Sequence, residues 1–210
     1  SFQTVKPSMA SPIPAGMIKA LTTSLQGAVG KAVTTNPDES WRYESDFDLG
    51  PTRALAAYAL ARAGKPEDAL VDALHEVRYD LSFTERVFLL RAMLEAGETG
   101  DRTNALYADL LSSVRIENDR AFVQEGWSYD DWPGLSYLDG GPANEIVNTG
   151  ELLSLLTRTD PSNAITAQLA RFLMQARSQG TWGNTLESGV ALHGLLDMAA
   201  TEGNPKLRAN

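Results

Sequence analysis

The chain contains no cysteine. That absence removes disulfides, thiolate metal sites and a cysteine nucleophile together, and it leaves the compartment open, since an exported protein can simply lack disulfides. Basic residues are also few: 18 Lys and Arg stand against 27 Asp and Glu, for a formal net charge of -9. Nucleic-acid binding draws on clustered Lys and Arg, so no nucleic-acid partner is expected, and an anionic membrane surface is disfavoured for the same reason. No apolar run approaches the roughly 20 residues that span a bilayer, so this segment is not expected to insert in a membrane. The start, SFQTVKPSMASPIPAG, lacks the apolar stretch of a signal peptide. Only two histidines occur, His75 and His193. Each sits in a helical pattern without a companion at ligand spacing, so no metal and no cofactor is expected. His193 reads as a core or interface residue.

What is present is mostly helix signal. With 210 residues, 43% of them hydrophobic, the chain can bury one well-packed core. Residues 1–16, rich in Pro and Ser, read as an extended connector, and a start at Ser1 without Met suggests a piece of a longer protein. Residues 17–210 read as a single helical domain. From Met17 to about Val33, Ile18, Leu21, Leu25 and Ala28 keep helical spacing. Pro51 opens and Gly64 closes the run TRALAAYALARA, the proline-first, glycine-last asymmetry of helices. Pro66 repeats the device before the stripe Leu70, Val71, Leu74 and Val77. Ser82 and Glu85 form a capping box ahead of Val87, Leu90, Met93 and Leu94, with Gly97 as terminator. Asp101 is placed to cap a helix that turns Leu106, Leu110, Leu111 and Val114 inward.

Pro142 starts a helix through Ile146, Val147, Leu153 and Leu156, and Asp160 with Pro161 caps and opens one through Ile165, Leu169, Phe172 and Ala176. The turn carrying Gly180, Trp182 and Gly183 leads to a last helix capped by Asn184 or Thr185 with Glu187. There Val190, Ala191, Leu192, Leu195, Leu196 and Ala199 cover more than one face, which predicts a helix buried on most sides. The reading yields eight helices and no strand. Short connections make sequential helices neighbours, and helix starts near 52, 67, 83 and 102 give a period of roughly 31 to 35 residues, typical of helical repeats. An all-α fold follows, with an α/α toroid, a ring of antiparallel helical hairpins, complete or partial, as the first expectation. An open tetratricopeptide-like array is the second.

Three stretches then carry a family likeness: GPTRALAAYALARAGKPEDA, LSFTERVFLLRAMLEAGETGDRTNAL and ITAQLARFLMQARSQGTWGNTLESGVALHGLLDMA. Together they resemble the helical thioester domain of bacterial alpha-2-macroglobulins. The matching residues are Tyr58, Ala59, Leu60, Ala61, Arg62 and Gly64 at one end, and Gly180, Trp182, Asn184, Thr185 and Glu187 at the other. The resemblance implies a toroid domain within a long periplasmic or envelope protein that traps proteases. Its implied partners are other domains of the same chain, and the targets of the whole protein are proteases. In thioester-bearing members an internal Cys-to-Gln thioester acylates the attacker. This chain departs there, having neither Cys nor a Glu-Gln pair, so the Cys-x-Glu-Gln signature is absent from these residues. No acyl transfer is assigned to it, because thiol and carboxamide are both needed, and no catalytic residue is expected.

Two further clusters stand out. Trp127, Tyr129, Asp130, Asp131, Trp132 and Tyr137 lie within the loop EGWSYDDWPGLSYLDGG. Paired carboxylates among aromatics would suit sugar binding or acid/base work, the basis of a competing reading as a toroid enzyme acting on a carbohydrate or terpenoid. A loop of this length also needs aromatic anchors to fold onto the body, and a partner-contact surface is the further reading. The spacing is not the Asp-x-Asp-Asp of class II terpene cyclases. Gln175, Gly180 and Trp182 also resemble the QW element of terpene cyclases. In either family Gln ties off a helix end, Gly turns the chain and Trp packs between hairpins, a clasp and not a catalytic device.

Overall fold

The computed structural model describes residues 50–124 and 145–202, together with Thr23. The connector 1–16, all of the first expected helix except Thr23, and the acidic aromatic loop with Trp127 to Tyr137 lie outside the described residues. Thr23 itself is helical.

The chain is mostly helical, as its composition and periodicity predict. Among the described residues the elements are α1 (Gly50–Arg62), α2 (Asp68–Glu76), α3 (Phe83–Glu95), α4 (Asp101–Ser112), β1 (Val114–Glu117), β2 (Arg120–Val123), α5 (Glu145–Thr159), α6 (Thr166–Gln175) and α7 (Thr185–Glu202). Local chemistry explains several ends. Pro51 falls in the first turn of α1, where a missing N–H costs nothing. Ser82 Oγ accepts from the Glu85 N–H at 3.4 Å while the Ser82 N–H donates to Glu85 Oε2 at 2.7 Å, closing the expected capping box. Gly64 and Gly97 follow α1 and α3 with φ of 74° and 83°, the left-handed turn that glycine adopts without strain.

Other ends differ from the sequence expectation. Helix α2 begins at Asp68 with Glu67 as its cap, so Pro66 precedes the helix instead of opening it. Asp101 lies inside the first turn of α4 and favours the helix through its charge at the positive end of the dipole. Asp160 and Pro161 neither cap nor open α6, which starts five residues beyond Pro161, at Thr166. They form a turn in which Asp160 accepts from Asn163 Nδ2 at 2.9 Å, while Asn163 Oδ1 takes the Ile165 N–H at 3.1 Å.

The expectation of no strand is also corrected. Val114, expected to face inward from a helix, opens β1, which pairs antiparallel with β2 in the register Val114↔Val123 to Glu117↔Arg120. Asn118 supplies the positive φ of the tight turn at 57°, which Asn tolerates better than most residues. The pairing is anchored from outside. Phe122 stacks on Phe172 of α6 with centroids 5.0 Å apart, and the Val123 N–H donates to Thr149 Oγ1 of α5 at 3.0 Å. Arg171 adds an ion pair to Asp119 at 3.1 Å.

The described elements gather into two compact units, the boundary falling inside α4 between Tyr107 and Ala108. In the first unit α1 packs chiefly against α3, with α2 in lighter contact with both. Ala54, Ala57 and Leu60 of α1 are buried together with Val87, Leu90 and Met93 of α3, and the small alanines let the helices approach closely. Arg91, itself buried, lies over the Tyr58 and Phe88 rings at 5.7 and 5.6 Å. In the second unit α5 pairs chiefly with α7, and α6 and β2 pack alongside. Every residue of α5 from Val147 to Thr157 is buried. The helix enclosed on all sides is therefore α5, where the sequence reading expected the last helix.

Helix α7 is covered on one side only. Ala191 is fully buried, whereas Leu186, Leu192 and Leu196 are 61, 49 and 65% exposed. Apolar composition had suggested burial on most sides, but composition does not say whether a neighbour is present to cover each face.

Candidate functional site

The turn joining α6 to α7 holds the second of the two groups of residues on which the resemblance rests. Gln179 and Gly180 both take positive φ, 52° and 88°, which reverses the chain within a few residues. A short bridge between Ser178 and Thr181 closes the reversal. The chain then places Trp182 inward, 6% exposed, with its indole N–H donating to the Leu173 carbonyl at 2.9 Å. That carbonyl belongs to the last turn of α6, where helix carbonyls lack intrahelical partners. Arg177 lies over the indole ring at 5.7 Å, and the Trp182 N–H reaches Ser188 Oγ at 3.3 Å in the first turn of α7. Trp182 thus ties the end of one helix to the start of the next, through its indole on the α6 side and its backbone N–H on the α7 side.

Asn184 caps α7, as one of the two candidates. Its Oδ1 accepts from the Glu187 N–H at 2.9 Å, and Glu187 Oε1 takes a hydrogen bond from Asn184 Nδ2 at 2.8 Å. The reciprocal arm differs from a standard capping box, since the carboxylate holds the cap's side chain and not its backbone. Thr185 is the first helical residue. Gln175 was expected to tie off the helix end, but it stands exposed at the last position of α6, and Trp182 performs that task. A surface groove of about 190 Å³ runs along the clasp, lined by Met174, Arg177, Trp182, Leu192 and Leu195 among others.

The densest ionic cluster lies on the α5–α7 contact and was not foreseen. Arg158 Nε and Nη2 donate to the two carboxylate oxygens of Asp197, both at 3.0 Å, and Ser154 Oγ donates to Oδ2 at 2.6 Å. His193 Nε2 stands 3.7 Å from Asp197 Oδ2. Thus His193 does have a carboxylate companion, four residues on, which the sequence reading overlooked. It is also about half exposed, so it is not a core histidine. Serine, histidine and aspartate meet here, yet the arrangement is not a catalytic triad. A triad needs the serine hydroxyl on the histidine and the carboxylate on the far ring nitrogen. Here Ser154 donates to the carboxylate itself, and Arg158 holds both carboxylate oxygens. The cluster fixes two helices by a bidentate pair, the strongest geometry open to such groups.

Asp197 makes this clasp pH-dependent. Burial pushes its carboxyl upward, but the hydrogen bonds from Arg158 and Ser154, with the charges of Arg158 and His193, outweigh burial and hold it below its ordinary value. A depressed folded-state value contributes stability that is present above the unfolded aspartate value, about 3.9, and is lost as pH falls through the folded one. Thermal melts of the wild type and Asp197→Asn should therefore differ most at neutral pH and converge in acid. A gap that stays constant down to pH 2 would show that the charge does not contribute.

Burial, then the charges of Arg102 and Arg78, push the His75 imidazole below its ordinary value, against the opposing charges of Glu98 and Asp72. Among the described residues no group of three metal-ligating side chains comes together, and no helix is long and apolar enough to cross a membrane. No protein-family model, curated protein or solved structure matches the chain.

Proposed function

We propose that this chain is a non-catalytic helical domain of a bacterial alpha-2-macroglobulin-like protease trap, located in the periplasm or cell envelope. Its role is mechanical: it supports the neighbouring domains of the same long chain while the whole protein encloses a protease. The observation that carries this reading is the Trp182–Asn184–Glu187 seam. Trp182, Asn184 and Glu187, part of the second group of residues that resemble the family signature, make hydrogen bonds that close the turn from α6 into α7, so that part of the likeness falls on a working structural device. The pairing of α1 with α3 and of α5 with α7 supports the toroid arrangement. In a ring of hairpins alternate helices form the inner and outer layers, so next-but-one helices are neighbours. With no cysteine in the chain, the proposed domain acts without a thioester of its own.

The experiment is a trapping assay on the intact native gene product. A probe against residues 145–202 should detect a protein several times larger than the 22.7 kDa of this chain. Cleavage of that protein by a panel of endopeptidases should leave them active on small peptide substrates and blocked on large proteins, and methylamine should not weaken the blockade. A native product of about this chain's own size, with no effect on any protease, would overturn the proposal.

A further inference from the structure

The outward face of α7 has a pattern that fits itself. Among its exposed residues Thr185, Gly189, Leu192, Leu196 and Ala199 recur at alternating intervals of four and three, the spacing of a helix–helix seam. None carries a charge, in a chain whose formal net charge is -9. We propose that this face pairs with the same face of a second copy of the chain, the two α7 helices running antiparallel about a two-fold axis at Leu192.

The argument for a second copy is the order of large and small residues. With the axis at Leu192, that side chain meets its own counterpart. Leu196 of each copy, four residues from the axis, then falls beside Gly189 of the other, three residues from it, and Thr185 falls opposite Ala199. A two-fold interface requires such self-complementarity, because the same patch serves both sides. Gly189 provides an open slot, since a Cβ built there meets nothing within 4 Å. A charged partner would find nothing on the seam to pair with, whereas two copies meet here without opposing their acidic residues directly. The area sets the strength. An 18-residue helix is about 27 Å long at 1.5 Å per residue, and one such seam buries less than the roughly 800 Å² per partner of a stable complex. The exposed Met174 and the groove beside Leu192 and Leu195 widen the contact. The dimer is accordingly weak, with a dissociation constant on the order of micromolar to hundreds of micromolar.

Sedimentation of the 210-residue chain over about 5 to 500 μM tests this, with a shift from the 22.7 kDa monomer toward twice that mass expected. Leu192→Lys places two ammonium groups at the axis and should raise the dissociation constant at least about tenfold. Gly189→Leu should do the same by filling the slot, without lowering the melting temperature, since the monomer has room for it. The chain has no native thiol, so single cysteines report the geometry. Leu192→Cys should oxidise to a disulfide-linked dimer, and mixed Gly189→Cys and Leu196→Cys proteins should cross-link to each other. Leu55→Cys, also exposed but on α1, is the control and should not. A monomer throughout the range overturns the proposal. So does a dimer that survives both Leu192→Lys and Gly189→Leu, or Leu192→Cys linking no faster than Leu55→Cys.

Discussion

Trp182→Ala is expected to lower the unfolding free energy by about 3 to 5 kcal/mol, the range for truncating a buried Trp. Two losses add here. The indole is 6% exposed, so its removal leaves a cavity where Arg177 and the ends of α6 and α7 now close on the ring. It also strands the Leu173 carbonyl, whose hydrogen bond from the indole N–H is 2.9 Å long, and an unsatisfied buried carbonyl costs about 1 to 3 kcal/mol by itself. Trp182→Phe separates the two, keeping most of the apolar contact while losing the donor. It should cost less than Trp182→Ala but stay clearly above zero. Chemical denaturation followed by circular dichroism measures both. A melting shift of about a degree for Trp182→Ala would mean that the turn does not hold the unit together, because a loss of several kcal/mol in a chain of this size moves the midpoint by about 2 to 4 °C per kcal/mol.

How this clasp could be read in advance, and its neighbours could not, has a physical reason. Trp182, Asn184 and Glu187 act on groups within about ten residues of themselves, so spacing along the chain determines their partners. The same holds for Ser82 with Glu85 and for the glycines after α1 and α3. The hairpin β1–β2 escaped because its strands are four residues each. Val114-Arg115-Ile116-Glu117 can pass for the end of an amphipathic helix, and β2 is stabilised by Phe172 and Thr149, which are remote in sequence. The cluster at Asp197 joins residues 39 and 43 positions apart, and no local rule links them. Burial was misassigned between α5 and α7 on the same grounds. Both helices are apolar, and which one is enclosed depends on what packs around it. Buried Asn148, Thr149 and Glu151 on α5 had disguised the more enclosed helix as the more polar one.

The α5–α7 contact supports the second large effect. Gly194 of α7 lies against Gly150 of α5 so closely that a Cβ on Gly194 would stand 2.6 Å from the Gly150 carbonyl oxygen. In an exposed helix interior Gly→Ala gains up to about 1 kcal/mol from propensity. Here that gain opposes a clash with backbone, which cannot rotate away as a side chain could. Overpacking of this kind costs about 1 to 3 kcal/mol and at times more, so Gly194→Ala is expected to destabilise. Gly150→Ala should do likewise, its Cβ meeting Val190 Cγ1 at 2.9 Å and the Val190 carbonyl oxygen at 3.0 Å. Gly189→Ala on the same helix supplies the opposite sign: with nothing within 4 Å, only the propensity gain remains. Equal effects at 189 and 194 would show that the helices do not touch where Gly150 and Gly194 meet. The clash also has a second consequence one turn further on. Asp197 follows Gly194 by three residues and Ser154 follows Gly150 by four, so helices forced apart at the glycines must stretch the Ser154–Arg158–Asp197 hydrogen bonds. Gly194→Ala and Asp197→Asn should therefore be non-additive, the double variant losing less than the sum of the singles. The pH-dependent part of the stability should shrink in Gly194→Ala before any residue of the ionic cluster has been changed.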